Sequence, residues 1–219
     1  FYLPEMEGFR ATERLLGSFD VDHIEPETLL FQAGYLTVKR CESTLRGVVY
    51  HLSYPNKEVK VSLNEHLFAY FTRMRGAEEE EIRSRLEEVL RQGRVEEFKE
   101  ILRSLFASIP YEWYRKNNLS EYEGYYASVV YSFLAGTGLE MVAEEYTSKG
   151  RVDLVVRVDE KVYVIEFKVM EGGKAKALEE LKRKGYVEKY RGQGREVYLV
   201  GIDFDAEERN IKAFEWERV

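Results

Sequence analysis

A hairpin of two apolar strands at residues 150–169 constrains the fold of this chain more than any other feature. Its sequence, GRVDLVVRVDEKVYVIEFKV, contains two runs rich in Val, Ile, Tyr and Phe on either side of Asp159 and Glu160. Such runs favour strands, and a two-residue polar break between them predicts a tight turn. Apolar residues occupy both odd and even positions of the second run, so that strand has no clearly polar face.

Asp153 interrupts the first of these apolar runs, and Glu166 and Lys168 interrupt the second. Counting outward from a two-residue turn at 159–160 places Asp153 opposite Glu166. Facing residues of an antiparallel pair point to the same side of the sheet, with Cβ atoms roughly 4.5–5.5 Å apart. Lys168 lies two residues beyond Glu166 and therefore shares that side.

Two carboxylates directly opposite each other normally destabilise a sheet. A divalent cation between Asp153 and Glu166 removes the conflict, and Mg²⁺ and Mn²⁺ favour such oxygen ligands while keeping several waters. A solvated sheet face with incidental charges is the alternative interpretation. The spacing favours the metal site, with Mg²⁺ or Mn²⁺ as the cofactor.

Composition excludes several other classes of protein. The chain has 219 residues, of which 44% are apolar and 33% charged, and this suits one large globular domain or two smaller ones. No apolar run approaches the roughly 20 residues of a membrane span, and no signal peptide is recognisable. Cys41 is the single cysteine, which excludes an internal disulfide and makes a reducing cytoplasm the expected setting. Abundant Glu, Lys and Arg predict a thermophilic source.

The first half of the chain predicts a small unit followed by two helices. In residues 26–75 we expect a short helix, a strand reached through Gly34, a further strand, a turn at Pro55 and Asn56, a second short strand and a helix. This winged-helix-like order suits DNA binding or a regulatory lid, or else a structural connector, and no helix in it has a dense basic face. Residues 77–108 have helical spacing that is broken at Gly93.

From Tyr111 onward the pattern becomes α/β. Ser120 and Glu123 have capping-box spacing at the start of a helix that continues amphipathically through YYASVVYSFLAG. The strand LEMVAEEYTS, the hairpin, a basic helix in AKALEELKRKGYVEKYRGQG, the strand EVYLVGIDFD and the edge strand IKAFEWERV follow. The predicted order is one helix, three strands, one helix and two strands.

This order, with Asp in the second strand and Glu-x-Lys in the third, resembles the PD-(D/E)XK nuclease superfamily. The resemblance implies a restriction-endonuclease-like mixed sheet flanked by helices. The phrases EGYYASVVYSFL, TSKGRVDLVV and VYLVGIDFD are similar to a prokaryotic branch in which the nuclease-like domain follows an AAA-ATPase-like domain. Residues 111–219 would be the nuclease-like domain, and residues 1–110 a winged-helix-like and helical connector, the remnant of the AAA-ATPase-like region. The rest of that region would be a partner, since this sequence contains no P-loop motif.

The resemblance also implies the roles of individual residues. Asp153 and Glu166 would bind Mg²⁺ or Mn²⁺ together with the backbone carbonyl of Phe167. Lys168 would orient or deprotonate the attacking water and offset charge in the transition state. Glu123 matches a helix carboxylate that supports the metal site in many members; capping the helix is its alternative role.

One position departs from the family pattern. Relatives often carry Gln on the helix after the Glu-x-Lys strand, followed by a tyrosine, whereas this chain has Glu180, followed by Tyr186 and Tyr190. Gln can donate a hydrogen bond to a phosphate, but an ionised Glu can only accept one. Glu180 is therefore either an additional metal-site ligand or a lost phosphate contact.

Positive charge is concentrated in the segment after this position. Residues 182–195 contain six Lys and Arg residues against Glu188, in a chain whose net charge is −7. A local basic surface of this kind can bind nucleic acid in an otherwise acidic protein, and a solvated helix face is the alternative. Lys182 and Lys189, seven residues apart, would share one helical face. The expected nucleic-acid contacts are Glu180, Lys182, Lys189, Tyr190, Arg191 and Arg195.

Two functions follow from this pattern. The first is a metal-dependent phosphodiesterase that hydrolyses DNA. The second is a catalytically inactive nuclease fold that serves an ATPase-linked protein as a nucleic-acid-binding or interaction module. Metal-dependent cleavage of DNA distinguishes them.

Overall fold

A computed structural model of the chain describes residues 6, 8–17, 25–72, 74, 76–109, 123–147, 149–170, 176–190 and 194–219. Its first part consists of β1 (Arg10–Thr12), α1 (Glu13–Gly17), α2 (Pro26–Gln32), β2 (Thr37–Thr44), β3 (Gly47–Ser53), α3 (Lys57–Thr72), α4 (Ala77–Gln92) and α5 (Val95–Ser108). The second part consists of α6 (Glu123–Gly136), β4 (Glu140–Thr147), β5 (Gly150–Val158), β6 (Lys161–Met170), α7 (Ala177–Lys184), a 3₁₀ turn (Tyr186–Lys189), β7 (Glu196–Asp205) and β8 (Asn210–Arg218).

The second part is built on a five-stranded mixed sheet in the order β4-β5-β6-β7-β8. β6 and β7 are parallel, and the other neighbouring strands are antiparallel. Helix α7 is the crossover between the two parallel strands, as a parallel connection requires. The predicted order of helices and strands is confirmed, and so is the restriction-endonuclease-like mixed sheet flanked by helices.

The hairpin has the register that its sequence predicts. Leu154 pairs with Ile165 and Val158 with Lys161, so Asp159 and Glu160 form the two-residue turn. Asp159 has a φ of +49°, which a non-glycine residue adopts mainly in turns. Its carboxylate accepts two hydrogen bonds from the Arg91 guanidinium on α4, at 2.6 and 2.7 Å, and this ties the turn to the helical part of the chain.

Both faces of the sheet are buried, which explains why β6 is apolar at odd and even positions. Tyr163, Ile165 and Phe167 belong to a large core that α5 and α6 share. Val162 and Val164 belong to a smaller core on the opposite face, formed with α7.

Helix α6 is buried on every side after its first two residues, because every residue from Tyr125 to Gly136 is buried. The expectation of an amphipathic helix is therefore wrong. One side of α6 packs on the sheet and another packs on α3, where Phe68 and Phe133 stack with ring centroids 4.8 Å apart. A helix that is apolar all round is typical of such a position between layers. No helix among the described residues is both long and apolar enough to cross a membrane.

Helices α4 and α5 pack against the same sheet. The Tyr163 hydroxyl donates a hydrogen bond to the Leu90 carbonyl at 2.6 Å, and the Trp216 indole N–H donates one to Glu96 at 2.7 Å. Phe106 packs edge-on against Phe204 of β7, with centroids 5.0 Å apart. Residues before position 110 and residues after it therefore belong to one hydrophobic core.

The first part of the chain has the predicted helix, ribbon and helix, with two differences. β1 adds a third strand, so the small sheet has the order β1-β3-β2. The second short strand expected after Pro55 is absent, because those residues begin α3. The Asn56 side chain accepts a hydrogen bond from the Val59 N–H at 2.8 Å, the contact of a helix N-cap. Alternation of Val with charged residues fits a strand as well as a helix, and this cap favours the helix.

The basic helix is shorter than its sequence pattern indicates. α7 ends at Lys184 because Gly185 adopts the left-handed conformation, with φ of 59°, and closes the helix with hydrogen bonds to the Leu181 and Lys182 carbonyls. The expectation that Lys182 and Lys189 share one helical face is therefore wrong.

Helix α7 lies directly on β7. A Cβ atom at Gly201 would overlap the backbone nitrogen of Leu178, so the helix approaches the strand as closely as glycine permits. Asp203, fully buried on β7, accepts hydrogen bonds from the backbone N–H groups of Lys176 and Ala177 at the start of α7. These two contacts fix how closely the helix approaches the sheet and where its N-terminal end lies.

Gly201→Ala should push α7 away from the sheet, because the added methyl group meets backbone rather than a movable side chain. Overpacking of this kind typically costs about 1–3 kcal/mol. We expect urea denaturation to show that loss, while Gly17→Ala, whose Cβ meets nothing within 4 Å, should change the free energy of unfolding little. Equal stability of the two variants would contradict this packing.

Candidate metal centre

The candidate site lies on the α7 face of β6, at the C-terminal end of the strand. Strand alternation places Val162, Val164, Glu166 and Lys168 on this face. The two valines pack in the core under α7, and the two charged residues lie beyond it. Glu166 is nevertheless only 1% exposed, so its carboxylate lies inside the protein.

Asp153 reaches this position because the β5–β6 pairing ends beside it. The last regular pair is Leu154 with Ile165, one step before the Asp153–Glu166 pair that the register predicts. Instead, the Asp153 carboxylate accepts a hydrogen bond from the Phe167 backbone N–H at 2.8 Å. On the other side of β5, Glu144 interrupts the pairing with a φ of +52°. Burial raises the pKa of Asp153, although the Phe167 N–H and nearby lysines oppose it.

Glu166 is the most perturbed carboxyl group of the site. Burial, and then the negative charge of Asp153, raise the pKa of Glu166 to about 7. Its Oε1 lies 3.7 Å from Lys168 Nζ and 3.4 Å from Lys184 Nζ. Its Oε2 is buried and has no hydrogen-bond partner. A buried carboxylate oxygen without a donor is costly, so this atom is a natural ligand for a cation.

Lys168 lies among three carboxylates. Its Nζ is 3.5 Å from Glu123, 3.7 Å from Glu166 and 3.8 Å from Glu180. Burial alone would lower the pKa of Lys168, but the surrounding carboxylates outweigh it and raise the pKa. The side chain is therefore an ammonium group that donates hydrogen bonds.

Glu123, in the first turn of α6, points its carboxylate at Lys168. Burial raises the pKa of Glu123, and the Lys168 ammonium opposes that rise. Ser120, its expected capping-box partner, lies outside the described residues.

Glu180 and Lys184 bring a second charge pair from α7. They form a close i,i+4 ion pair with each other, and both also reach β6, Glu180 through Lys168 and Lys184 through Glu166. Burial would raise the pKa of Glu180, but Lys184 and Lys168 lower it. Lys184 was not identified from the sequence as a site residue. Its position four residues after Glu180 was the available signal, because that spacing puts both side chains on one helix face.

The side-chain oxygens of the site fit a hard divalent cation whose remaining ligands are backbone and water oxygens. Within the described ranges, no three side chains of His, Cys, Asp or Glu are grouped to hold a metal ion. Asp153 and Glu166 therefore offer two carboxylates, to which backbone and water oxygens would be added. Mg²⁺ typically binds through one or two carboxylates and several waters, so these residues fit it.

The predicted nucleic-acid contacts are not gathered around Glu166. Lys182 forms an ion pair with Glu217 on β8, and Lys189 contacts the Glu145 carboxylate at 2.9 Å. Tyr190 is 2% exposed and donates its hydroxyl hydrogen bond to Glu145. Arg195 is half-buried just before β7. Arg191 lies outside the described residues. Among the members of the set that the structure describes, Glu180 alone contacts the site.

Comparison with known proteins identifies the segment that carries this site. Residues 121–214 match a family described as the PD-(D/E)XK nuclease superfamily. The chain is also 40% identical over 214 residues to an "Uncharacterized protein in vnfD 5′ region" of Azotobacter chroococcum mcd 1; the match covers 97% of this chain. The chain spans 41% of the length of that relative. No solved structure matches the chain significantly.

The cluster around Glu145 should make stability depend on pH. Burial alone would raise the pKa of Glu145, but hydrogen bonds from Tyr190, Lys189 and Arg157 outweigh it and lower the pKa. A lowered pKa gives stability that is present above the ordinary value of 4.5 and is lost as pH falls through the folded-state pKa.

Glu145→Gln should therefore destabilise the protein at pH 7 by about 1.5–3 kcal/mol, the contribution of hydrogen bonds to a charged group, and by less near pH 3. Denaturant titrations at several pH values measure the difference. Glu140→Gln, at an exposed position on the same strand with an ion pair of 3.5 Å, should have little effect at any pH. A loss for Glu145→Gln that does not vary with pH would contradict a charged role.

Proposed function

We propose that this chain, whose residues 121–214 form a domain of the PD-(D/E)XK nuclease superfamily, hydrolyses phosphodiester bonds in DNA with Mg²⁺ or Mn²⁺. The observation that carries the proposal is the convergence of Asp153, Glu166 and Lys168 at the end of β6, with one Glu166 oxygen buried and unpartnered. Asp153, Glu166 and the Phe167 carbonyl would hold the metal, and Glu123 would support the site through Lys168.

The charge of the site supports a divalent cation. Four carboxylates, Glu123, Asp153, Glu166 and Glu180, surround two ammonium groups, Lys168 and Lys184. Asp203, the register neighbour of Lys168 on β7, adds a further carboxylate, so the described side chains leave the site with an excess of negative charge that a divalent cation would reduce. A bound metal ion would polarise the scissile phosphate and lower the pKa of its water.

The chain's own residues would then orient the reaction. The Lys168 ammonium is held by three carboxylates, so its position is fixed before substrate binds. A preorganised cation stabilises the negative charge that develops on the phosphoryl oxygens, and it also orients the attacking water. Since its pKa is raised, Lys168 serves as a donor in this state of the site rather than as a base.

We further propose that the protein acts together with an AAA-ATPase-like domain, with residues 1–110 as the connector to it. The described winged-helix-like order of α2, the β2–β3 ribbon and α3 supports this proposal. The greater length of the Azotobacter relative leaves room for further domains.

Asp153→Asn and Lys168→Ala should separate metal binding from catalysis. Asp153→Asn removes a metal ligand, so Mn²⁺ binding measured by calorimetry and cleavage of plasmid or single-stranded DNA should be lost together. Lys168→Ala should slow cleavage by about 10²–10⁴-fold, the usual contribution of a positioned proton-transfer or orienting group, while Mn²⁺ still binds. Undiminished cleavage by the Lys168 variant would remove that residue from the mechanism.

A catalytically inactive module is the second candidate, and Lys184 favours it. Its ammonium lies 3.4 Å from Glu166 Oε1, where it supplies part of the positive charge that a metal ion would bring. With Glu180 in place of the Gln common in relatives, Lys184 is held beside Glu166 by an ion pair that Gln could not form.

Lys184→Met should increase Mn²⁺ affinity on the order of tenfold, because it removes a competing positive charge from a buried carboxylate. Lys182→Met is the matched control on the same helix: its ammonium pairs with Glu217 on β8, so Mn²⁺ affinity should not change. Equal affinities of wild type and both variants, measured by calorimetry, would show that Lys184 does not compete with the metal.

A further inference from the structure

A cavity lies between the β4–β5 turn and the junction of α7 with the 3₁₀ turn. Its volume is about 410 Å³, within the range of ligand-binding pockets. Its lining includes Tyr146, Lys149, Gly185, Tyr186, Glu188 and Lys189.

Tyr146 is the most conspicuous member of this lining. It lies on β4, an edge strand of the sheet, and 76% of the residue is exposed to solvent. A large aromatic ring gains nothing for stability by such exposure, and its face is available to stack on a flat partner. The neighbouring Tyr186 is 1% exposed and donates its hydroxyl hydrogen bond to the Arg151 carbonyl, so it forms a fixed wall.

Two glycines let the chain approach residues of the cavity lining closely. A Cβ atom at Gly150 would lie 2.9 Å from the Tyr186 hydroxyl, and one at Gly185 would lie 3.0 Å from Lys149 Nζ. Both glycines also have positive φ, of 142° and 59°, which a larger residue would adopt only with strain.

The cavity combines an aromatic face with charged groups at its rim. Lys149 pairs with Glu188 at 3.0 Å, and Lys189 contacts the Glu145 carboxylate at 2.9 Å and donates a hydrogen bond to the Tyr146 carbonyl at 3.0 Å, so a phosphate would share each lysine with a carboxylate. Ammonium groups beside an aromatic ring are the combination that binds single-stranded nucleic acid, with the base on the ring and the phosphate on the lysine. The Glu188 carboxylate is an acceptor that amino groups of bases can use.

Lys184 connects the cavity to the metal centre. Its Nζ is 3.4 Å from Glu166 Oε1 and 5.4 Å from the centre of the Tyr186 ring. The ring and the Glu166 oxygen are therefore no further apart than those two distances combined. That upper limit, measured from the Tyr186 wall of the cavity, equals about two to three nucleotides of a strand at ~3.4 Å each.

We propose that this cavity binds an unpaired nucleobase of the substrate strand, stacked on Tyr146 within a few nucleotides of the scissile phosphate. The inference rests on the proposed nuclease function and adds its substrate class: single-stranded DNA or a frayed end. Bases inside a duplex stack on their neighbours and would have to leave the helix, which costs energy, before they could enter the cavity.

Fluorescence anisotropy of a labelled oligodeoxythymidylate tests the subsite without cleavage, in the Lys168→Ala background with Mg²⁺. Tyr146→Ala should weaken binding about tenfold, which is within the range for loss of one base–aromatic stack. Tyr146→Phe keeps the ring and should retain the affinity. Tyr70→Ala, at a 54% exposed tyrosine on α3, is the matched control and should leave the affinity unchanged. Blunt duplex DNA should bind more weakly, and Tyr146→Ala should not alter that binding.

Oligonucleotides with a single abasic position provide a sharper test. One position should weaken binding to the parent protein, and the same change should cause no further loss in Tyr146→Ala, because the ring and the base belong to one contact. Additive losses, or equal affinities of Tyr146→Ala and its parent, would overturn the subsite while wild-type cleavage leaves the nuclease proposal intact.

Two other outcomes would also be decisive. If a deoxynucleoside monophosphate displaced the oligonucleotide at equal concentration, the cavity would be a free-nucleotide site, and the proposal would be wrong. If the wild-type protein neither cut nor bound any DNA, the nuclease function and the subsite would fail together.

Discussion

Burial of the five-stranded sheet on both faces is the constraint on which the rest of the structure depends. β6 and β7 have no solvated side, so charged residues on them can be accommodated only where the covering helices end. Glu166 and Lys168 lie at that boundary, and α7 meets them there with a glutamate and a lysine of its own. An unpaired buried charge costs several kcal/mol, and so the position of α7 and the charge of β6 depend on each other.

Two sources of positive charge can offset the carboxylates of the site: its own lysine side chains and a metal ion. Lys168 and Lys184 neutralise part of its carboxylate charge, and the raised pKa of Glu166 shows that burial and Asp153 are not fully offset. The carboxylates that would bind a divalent cation in our proposal are therefore the same groups that pair with Lys168 and Lys184. A metal ion would have to compete with Lys184 at Glu166, and that competition is what separates the two proposed functions.

The sheet and the centre of the site could be predicted from the sequence because both depend on local patterns. Two apolar runs around Asp159 and Glu160 define the hairpin register, and the register brings Asp153 close to Glu166. Lys184 was missed, and the burial of Tyr190 against Glu145 could not be foreseen, since both depend on which side of α7 and of the turn after it faces the sheet. The role of Asp203 could not be predicted from the sequence, where it is only a charged residue within an apolar run. Its hydrogen-bond donors, the backbone N–H groups at the start of α7, come close only in the folded protein.

The packing of α4 and α5 has a consequence for how such a domain can be inherited. Both helices lie before the segment that matches the nuclease superfamily, yet both share its core, and α5 covers β7 and β8 with Phe98 and Phe106. A genetic exchange that carried residues 121–214 alone would transfer a sheet with one face stripped of these aromatic rings. The stretch of chain that has to be inherited together is therefore longer than the segment that matches the family. Substitutions in the two helices and in the strands that they cover are constrained by each other.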